Sequence, residues 1–160
     1  YRLMKKKLND NKKYVIVELI PTAISPEKGP LAQISAIKLK GLKLIDRFDY
    51  RLDFKYIDNP YVLKMVDYDK DKFNYLDNSE EMVNKFSEWC KGFELFIIDN
   101  LYTNNYLKDL KNKKVNIFSY LDIDNDDQAI DKMIEKYKLK KSNYIVDLLY
   151  EALIYESNNR

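Results

Sequence analysis

The stretch Tyr14-Val15-Ile16-Val17-Glu18-Leu19-Ile20 constrains the fold more than any other part of the chain. An apolar run of this length, rich in Val and Ile, reads as a central strand buried on both faces. Glu18 interrupts it. A carboxylate inside a buried strand costs several kcal/mol unless it is paired or holds a cation. Glu18 is therefore the first candidate functional residue, one that is either paired or holds a cation. The alternative is a sheet left open on that side, with Glu18 wet.

Pro21, Pro26, Gly29 and Pro30 mark a loop after this strand. Residues 32–40 alternate, Ala32, Ile34 and Ala36 against Gln33 and Ser35, and predict a second strand. Gly41 makes a turn, and residues 42–52 predict a third, so three short-looped strands form an antiparallel meander. Residues 53–78 are polar and irregular, with Asn59-Pro60 as a turn. Asn78 or Ser79 then caps a helix with Glu80 and Glu81 in its first turn. Its apolar stripe is Met82, Val83, Phe86, Trp89 and Cys90. Residues 95–98 and 115–118 read as strands, and 102–111, 127–138 and 143–156 as helices. The last helix buries Ile145, Leu148, Leu149, Ala152 and Leu153. This order predicts an α/β fold, a mixed five-stranded sheet flanked by helices in the ribonuclease H-like layout.

A chain of 160 residues fits one domain, and 46% hydrophobic with 34% charged residues is a globular composition. No apolar run approaches the ~18–20 residues of a membrane helix. No signal-peptide pattern opens the chain, and Tyr1 suggests a trimmed start. The single cysteine, Cys90, excludes an internal disulfide framework, fits a reducing cytoplasm, and falls on the helical core stripe. There is no histidine, which removes the commonest general base and zinc ligand together. Hydrolysis would need carboxylates with a hard cation, or a lysine or tyrosine. Arg2, Lys5, Lys6, Lys7, Lys12 and Lys13 against Asp10 give residues 1–13 a net +5, a basic tail. That leaves −3 for the body, residues 14–157 of which form the domain, in a chain of +2 overall. Such a tail suits nucleic acid or an acidic partner, or is a solvated terminus.

Three stretches resemble the DEDD-type 3′–5′ exonucleases of the proofreading class. They are Tyr14-Val-Ile-Val-Glu-Leu-Ile-Pro-Thr-Ala, Leu31-Ala-Gln-Ile-Ser-Ala-Ile-Lys-Leu and Leu44-Ile-Asp-Arg-Phe. Family members carry Asp-x-Glu-Thr-Thr-Gly, Gln-Ile-Gly-Ala-Val and Asp-x-Phe on their first three strands, and the helix ending at Glu88-Trp89 is similar to the one before their second motif. The resemblance runs from about Tyr14 to Ser157. It implies two acids on one strand face which, with two more from helices, hold a pair of divalent cations, and a histidine or tyrosine as general base.

Position by position, the first Asp falls on Glu18 and the first-motif Glu on Ile20, which binds no metal. Thr22-Ala23 stands for Thr-Gly. The second-motif Asp falls on Asn104 and the last Asp on Asp147. The base falls on Ser142, or on Asn143 in the tyrosine variant, with Tyr144 one position away. The resemblance thus implies a degenerate site of two surviving acids, Glu18 and Asp147, able to hold one ion weakly at best. No cofactor is expected, and magnesium or manganese only if activity remains. Asp67 or Asp99 would have to rebuild an active site. Tyr102, Tyr106 and Tyr144 are candidate stacking surfaces for single-stranded nucleic acid, or simply packing residues.

Asp122-Ile-Asp-Asn-Asp-Asp looks like the start of a calcium loop, but Asp127 stands where that loop needs Gly and Met133 where it needs Glu. A helix start with acids in its first turn is the better reading. The expected function is an inactive exonuclease-like module binding nucleic acid or a protein of a replication or repair assembly. The alternatives are an active exonuclease with a rebuilt acidic site, and a pure protein-interaction scaffold.

Overall fold

The structure, a computed structural model, describes residues 10–66, 74–142 and 144–159. The expected central strand is β1 (Lys13–Pro21). It pairs antiparallel with β2 (Leu31–Lys40), which pairs antiparallel with β3 (Lys43–Leu52). On its other side β1 pairs parallel with β5 (Glu94–Ile97), and β5 with β6 (Lys114–Asn116). A further strand, β4 (Asn74–Leu76), pairs parallel with β3. Among the described residues the sheet is mixed and six-stranded, in the order β4-β3-β2-β1-β5-β6.

The α/β layout and the meander are as expected, with one strand more than the five read from sequence. β4 lies in the segment read as irregular. Three residues at a sheet edge are too few to show a period of two. The same segment holds α1 (Pro60–Met65). Asn59-Pro60 is its start rather than a free turn: the Asn59 side chain accepts from Tyr61 N at 2.9 Å, and Pro60 occupies the first turn, where a missing N–H is no loss.

The other boundaries move for similar reasons. Asn78 caps α2 (Ser79–Trp89) by accepting from Glu81 N, as predicted. Asp99 caps α3 (Asn100–Tyr106) through Tyr102 N, so this helix begins and ends earlier than expected. Asn116 accepts from Phe118 N, which stops β6 and starts α4 (Ile117–Tyr120) where strand was predicted. α5 (Ala129–Tyr137) ends at Lys138 in the left-handed region, and α6 (Ile145–Asn158) closes the domain. Gly41 has a φ of +58°, and a Cβ there would meet the Asp10 Cα at 2.8 Å, so the β2–β3 turn needs glycine.

Two apolar layers sandwich the sheet. One joins Val15, Val17, Ile34, Ala36 and Phe48 to Met82 and Phe86 of α2, to Cys90 just past its end, and to Tyr106 and Leu107. The other joins Ile16, Ile37, Leu39 and Phe96 to α4, α5 and α6. The layers take alternate positions over residues 15–17 and 34–39, while Ile20, Leu31 and Ala32 all join the first. Cys90 is fully buried, and burial pushes its thiol up to about 11, as suits a core residue rather than a nucleophile. Among the described residues no helix is long and apolar enough to cross a membrane.

Candidate functional site

Residues directly opposite in antiparallel strands point to the same side, so the register defines rows of side chains across β1, β2 and β3. On the α6 side the first row is Ile16, Ile37 and Arg47. The next is Glu18, Ser35 and Asp49, and the third Ile20, Gln33 and Arg51. The first row begins apolar, and its two isoleucines pack in the layer that holds Leu148 and Leu149. The second and third rows carry a cluster of polar and charged groups under cover.

Gln33 and Ser35 are both buried, so the polar positions of the alternation in β2 are covered as well. Period-two alternation reports side-chain type rather than exposure. The Gln33 Oε1 atom has no hydrogen-bond partner among the described residues. Arg51 is only 3% exposed. Its Nη1 is hydrogen-bonded to the Asp49 carboxylate, and its Nε donates to the Val66 carbonyl at the end of α1 at 2.9 Å. A guanidinium taken out of water must fill its donors in this way.

Glu18 is half-buried, so the sheet is not open over it. Its carboxyl is pushed up to about 7. Burial is the main cause, the Asp49 charge adds to it, and the Arg51 charge opposes it. The charges that reach Glu18 are thus those of two β3 residues to which sequence reading gave no role. The signal was present in Arg47-Phe48-Asp49-Tyr50-Arg51, charge at every second position, but such a pattern also describes an ordinary solvated strand face.

Asp147 lies in the first turn of α6, which packs on β1 and β2. Its Oδ1 accepts from Arg47 Nη2 at 2.8 Å, in a pair that is about half exposed. Ile20 is 5% exposed and belongs to the core layer that includes Val62 and Val66 of the α1 segment. Asn104 is on the exposed side of α3, whose Thr103 and Tyr106 face inward. Asp99 is engaged as the α3 cap. The exposed Ser142 accepts from Tyr144 N at 3.1 Å. No hydrogen bond or ion pair links any two of Glu18, Asn104 and Asp147. Tyr102 packs partly against the core and Tyr144 is 39% exposed, while the Tyr106 hydroxyl sits at 3.1 and 2.8 Å from the Ala23 and Gly29 carbonyls. Asp67, Asn143 and residues 1–9 of the basic tail lie outside the described residues. In the acidic run, Asp126 is occupied by Lys132 Nζ at 2.7 Å and Gln128 N at 2.9 Å.

A pair of divalent cations requires several anionic oxygens about one point. Among the described residues no group of three or more His, Cys, Asp or Glu is placed to hold an ion. The two acids whose charges meet, Glu18 and Asp49, share the neighbourhood of a guanidinium. These residues do not fit a two-metal centre.

The fold is that of the ribonuclease H-like exonucleases. An exonuclease I/SSB-Ct complex aligns over 94% of this chain and 42% of its own, with a TM-score of 0.64 and 9% identity. E. coli exonuclease I in complex with a dT13 oligonucleotide aligns over 91% and 40%, with a TM-score of 0.60 and 9% identity. A 3′-exonuclease solved for its 3′-end-specific recognition of the histone mRNA stem-loop aligns over 94% and 81%, with a TM-score of 0.58 and 13% identity. The chain spans less than half the length of those exonuclease I chains. No protein-family model matches the chain, and no curated protein sequence matches it.

Proposed function

We propose that this domain is an exonuclease fold that no longer cuts, retained as a module that binds nucleic acid or a protein of a nucleic-acid-processing assembly. The observation that carries the reading is the pair of arginines among the acids. Arg51 is buried against Asp49 beside Glu18, and Arg47 holds Asp147. Each surviving acid of the degenerate site is thereby either near or bound to an internal cation, in a family whose chemistry needs those acids for metal. Ile20 and Asn104 supply no anionic oxygen at the two remaining positions. The fold neighbours include proteins solved with single-stranded DNA and with SSB-Ct, which fits either kind of partner.

The test is cleavage of 5′-labelled single-stranded DNA and RNA with millimolar magnesium or manganese. The expected result is no metal-dependent shortening by the wild-type protein. Shortening that disappears in both Glu18→Gln and Asp147→Asn would establish a rebuilt active site and overturn the reading.

A further inference from the structure

One group of lysines lies at the opposite end of the sheet from the acidic rows. Lys13, Lys40 and Lys43 share one row where β1 begins, β2 ends and β3 begins. Beside them, a groove of about 820 Å³ runs between the start of β1, the α2–β5 turn and the loop before β6. Lys12, Lys13, Lys91, Lys111 and Lys113 line it, against Glu88, Glu94 and Asp109. Glu94 is already held by Lys12 at 3.6 Å and Lys113 at 3.5 Å. Lys13 and Lys38 both lie over the Phe93 ring, at 5.6 and 4.9 Å from its centroid. Neither they nor Lys91 and Lys111 have a carboxylate within ion-pair distance among the described residues.

Five lysines against three acids leave the lining at +2, and Lys13, Lys91 and Lys111 are in no ion pair among the described residues, so the groove is an anion-attracting surface on a body whose remainder is acidic. We infer that this groove binds the phosphate backbone of single-stranded nucleic acid, at the end of the sheet away from the degenerate site. Phe93 carries two ammonium groups on its ring, so it is not a stacking platform, and recognition rests on phosphate rather than base. The inference extends the proposed binding role but concerns different residues, so each can fail alone.

The experiment is fluorescence anisotropy of a labelled dT20 strand with the full chain in EDTA, from 25 to 200 mM salt. Binding should weaken steeply with salt, by ~0.7 in the logarithmic slope for each phosphate neutralised. Lys91→Gln/Lys111→Gln should weaken binding about tenfold at low salt and flatten the slope by about 1.4. Lys28→Gln/Lys64→Gln removes equal charge near the other end and should change affinity less than twofold. No salt-dependent binding, equal loss in both lysine pairs, or displacement of dT20 by a poly-glutamate peptide at equal residue concentration would each overturn the inference. The last would assign the groove to an acidic protein segment. None of these results bears on cleavage, which the metal-dependent assay decides.

Discussion

The two faces of the same three strands are built on opposite terms. On the α2 side, Val17, Ala36 and Phe48 form a continuous apolar row. Phe86 and Trp89 add ring contacts to Phe48 at 5.4 and 5.3 Å between centroids. One residue along each strand, on the α6 side, the row is Glu18, Ser35 and Asp49, with buried Arg51 and Gln33 beside it. The first face is held by packing, where any atom removed leaves a void. The second is held by charge balance, where the cost of a change depends on what remains unpaired and on pH. A fold can keep a polar cluster on one face of a sheet provided that the other face supplies most of the stability.

Chemical denaturation separates the two faces. Phe86→Ala should be the most damaging change, costing ~4 kcal/mol by transfer and cavity effects, nearly independent of pH. Arg51→Gln should cost roughly 3 kcal/mol at pH 8, because it leaves the half-buried Asp49 and Glu18 without their cation. The loss should shrink at pH 5, where Glu18 holds its proton. An equal loss at both pH values would mean that Arg51 acts as packing and the contrast between faces is false.

Glu18→Gln sharpens the same point in the opposite direction. A carboxyl raised from about 4.5 to about 7 on folding keeps its proton in the native state while the unfolded chain has lost it. The native state binds more protons in that window, so wild-type stability falls as pH rises from about 4.5 to about 7, then levels off. The total is on the order of 3 kcal/mol. The Gln variant should lack this slope and be the more stable protein at pH 8. Parallel urea curves at pH 5 and pH 8 for wild type would contradict it. Asp147→Asn is the smallest effect. Its pair with Arg47 is about half exposed, so the loss should stay below ~1 kcal/mol and diminish in high salt. A larger loss would place Asp147 within the buried cluster.

Much of the fold was legible because its signals are local. The run at residues 14–20, the stripe on α2 and the Asn78 cap each rest on residues adjacent in sequence or one turn apart. The misread elements, β4, α1 and the start of α4, are short pieces, and two of them are set by a single Asn side chain satisfying backbone N–H groups. Of the site, the sequence marked Glu18 as an anomaly, and the resemblance placed Ile20 where a second acid was expected. It did not reveal Arg51, since a charged residue at every second position of β3 looks the same whether that side meets water or the α1 end.

The sequence by itself determined that β1 would be central, that the layers would be helix on sheet on helix, and that no histidine chemistry is open to this chain. Periodicity and composition act through each residue's own neighbours, so one chain suffices to read them. Only the tertiary structure decided what surrounds Glu18. Its partners come from β3, 31 and 33 residues away, and from the cover provided by neighbouring elements. Burial, charge proximity and the resulting rise to about 7 are properties of distances between such residues. The cross-strand register creates those distances, and a linear pattern does not contain them.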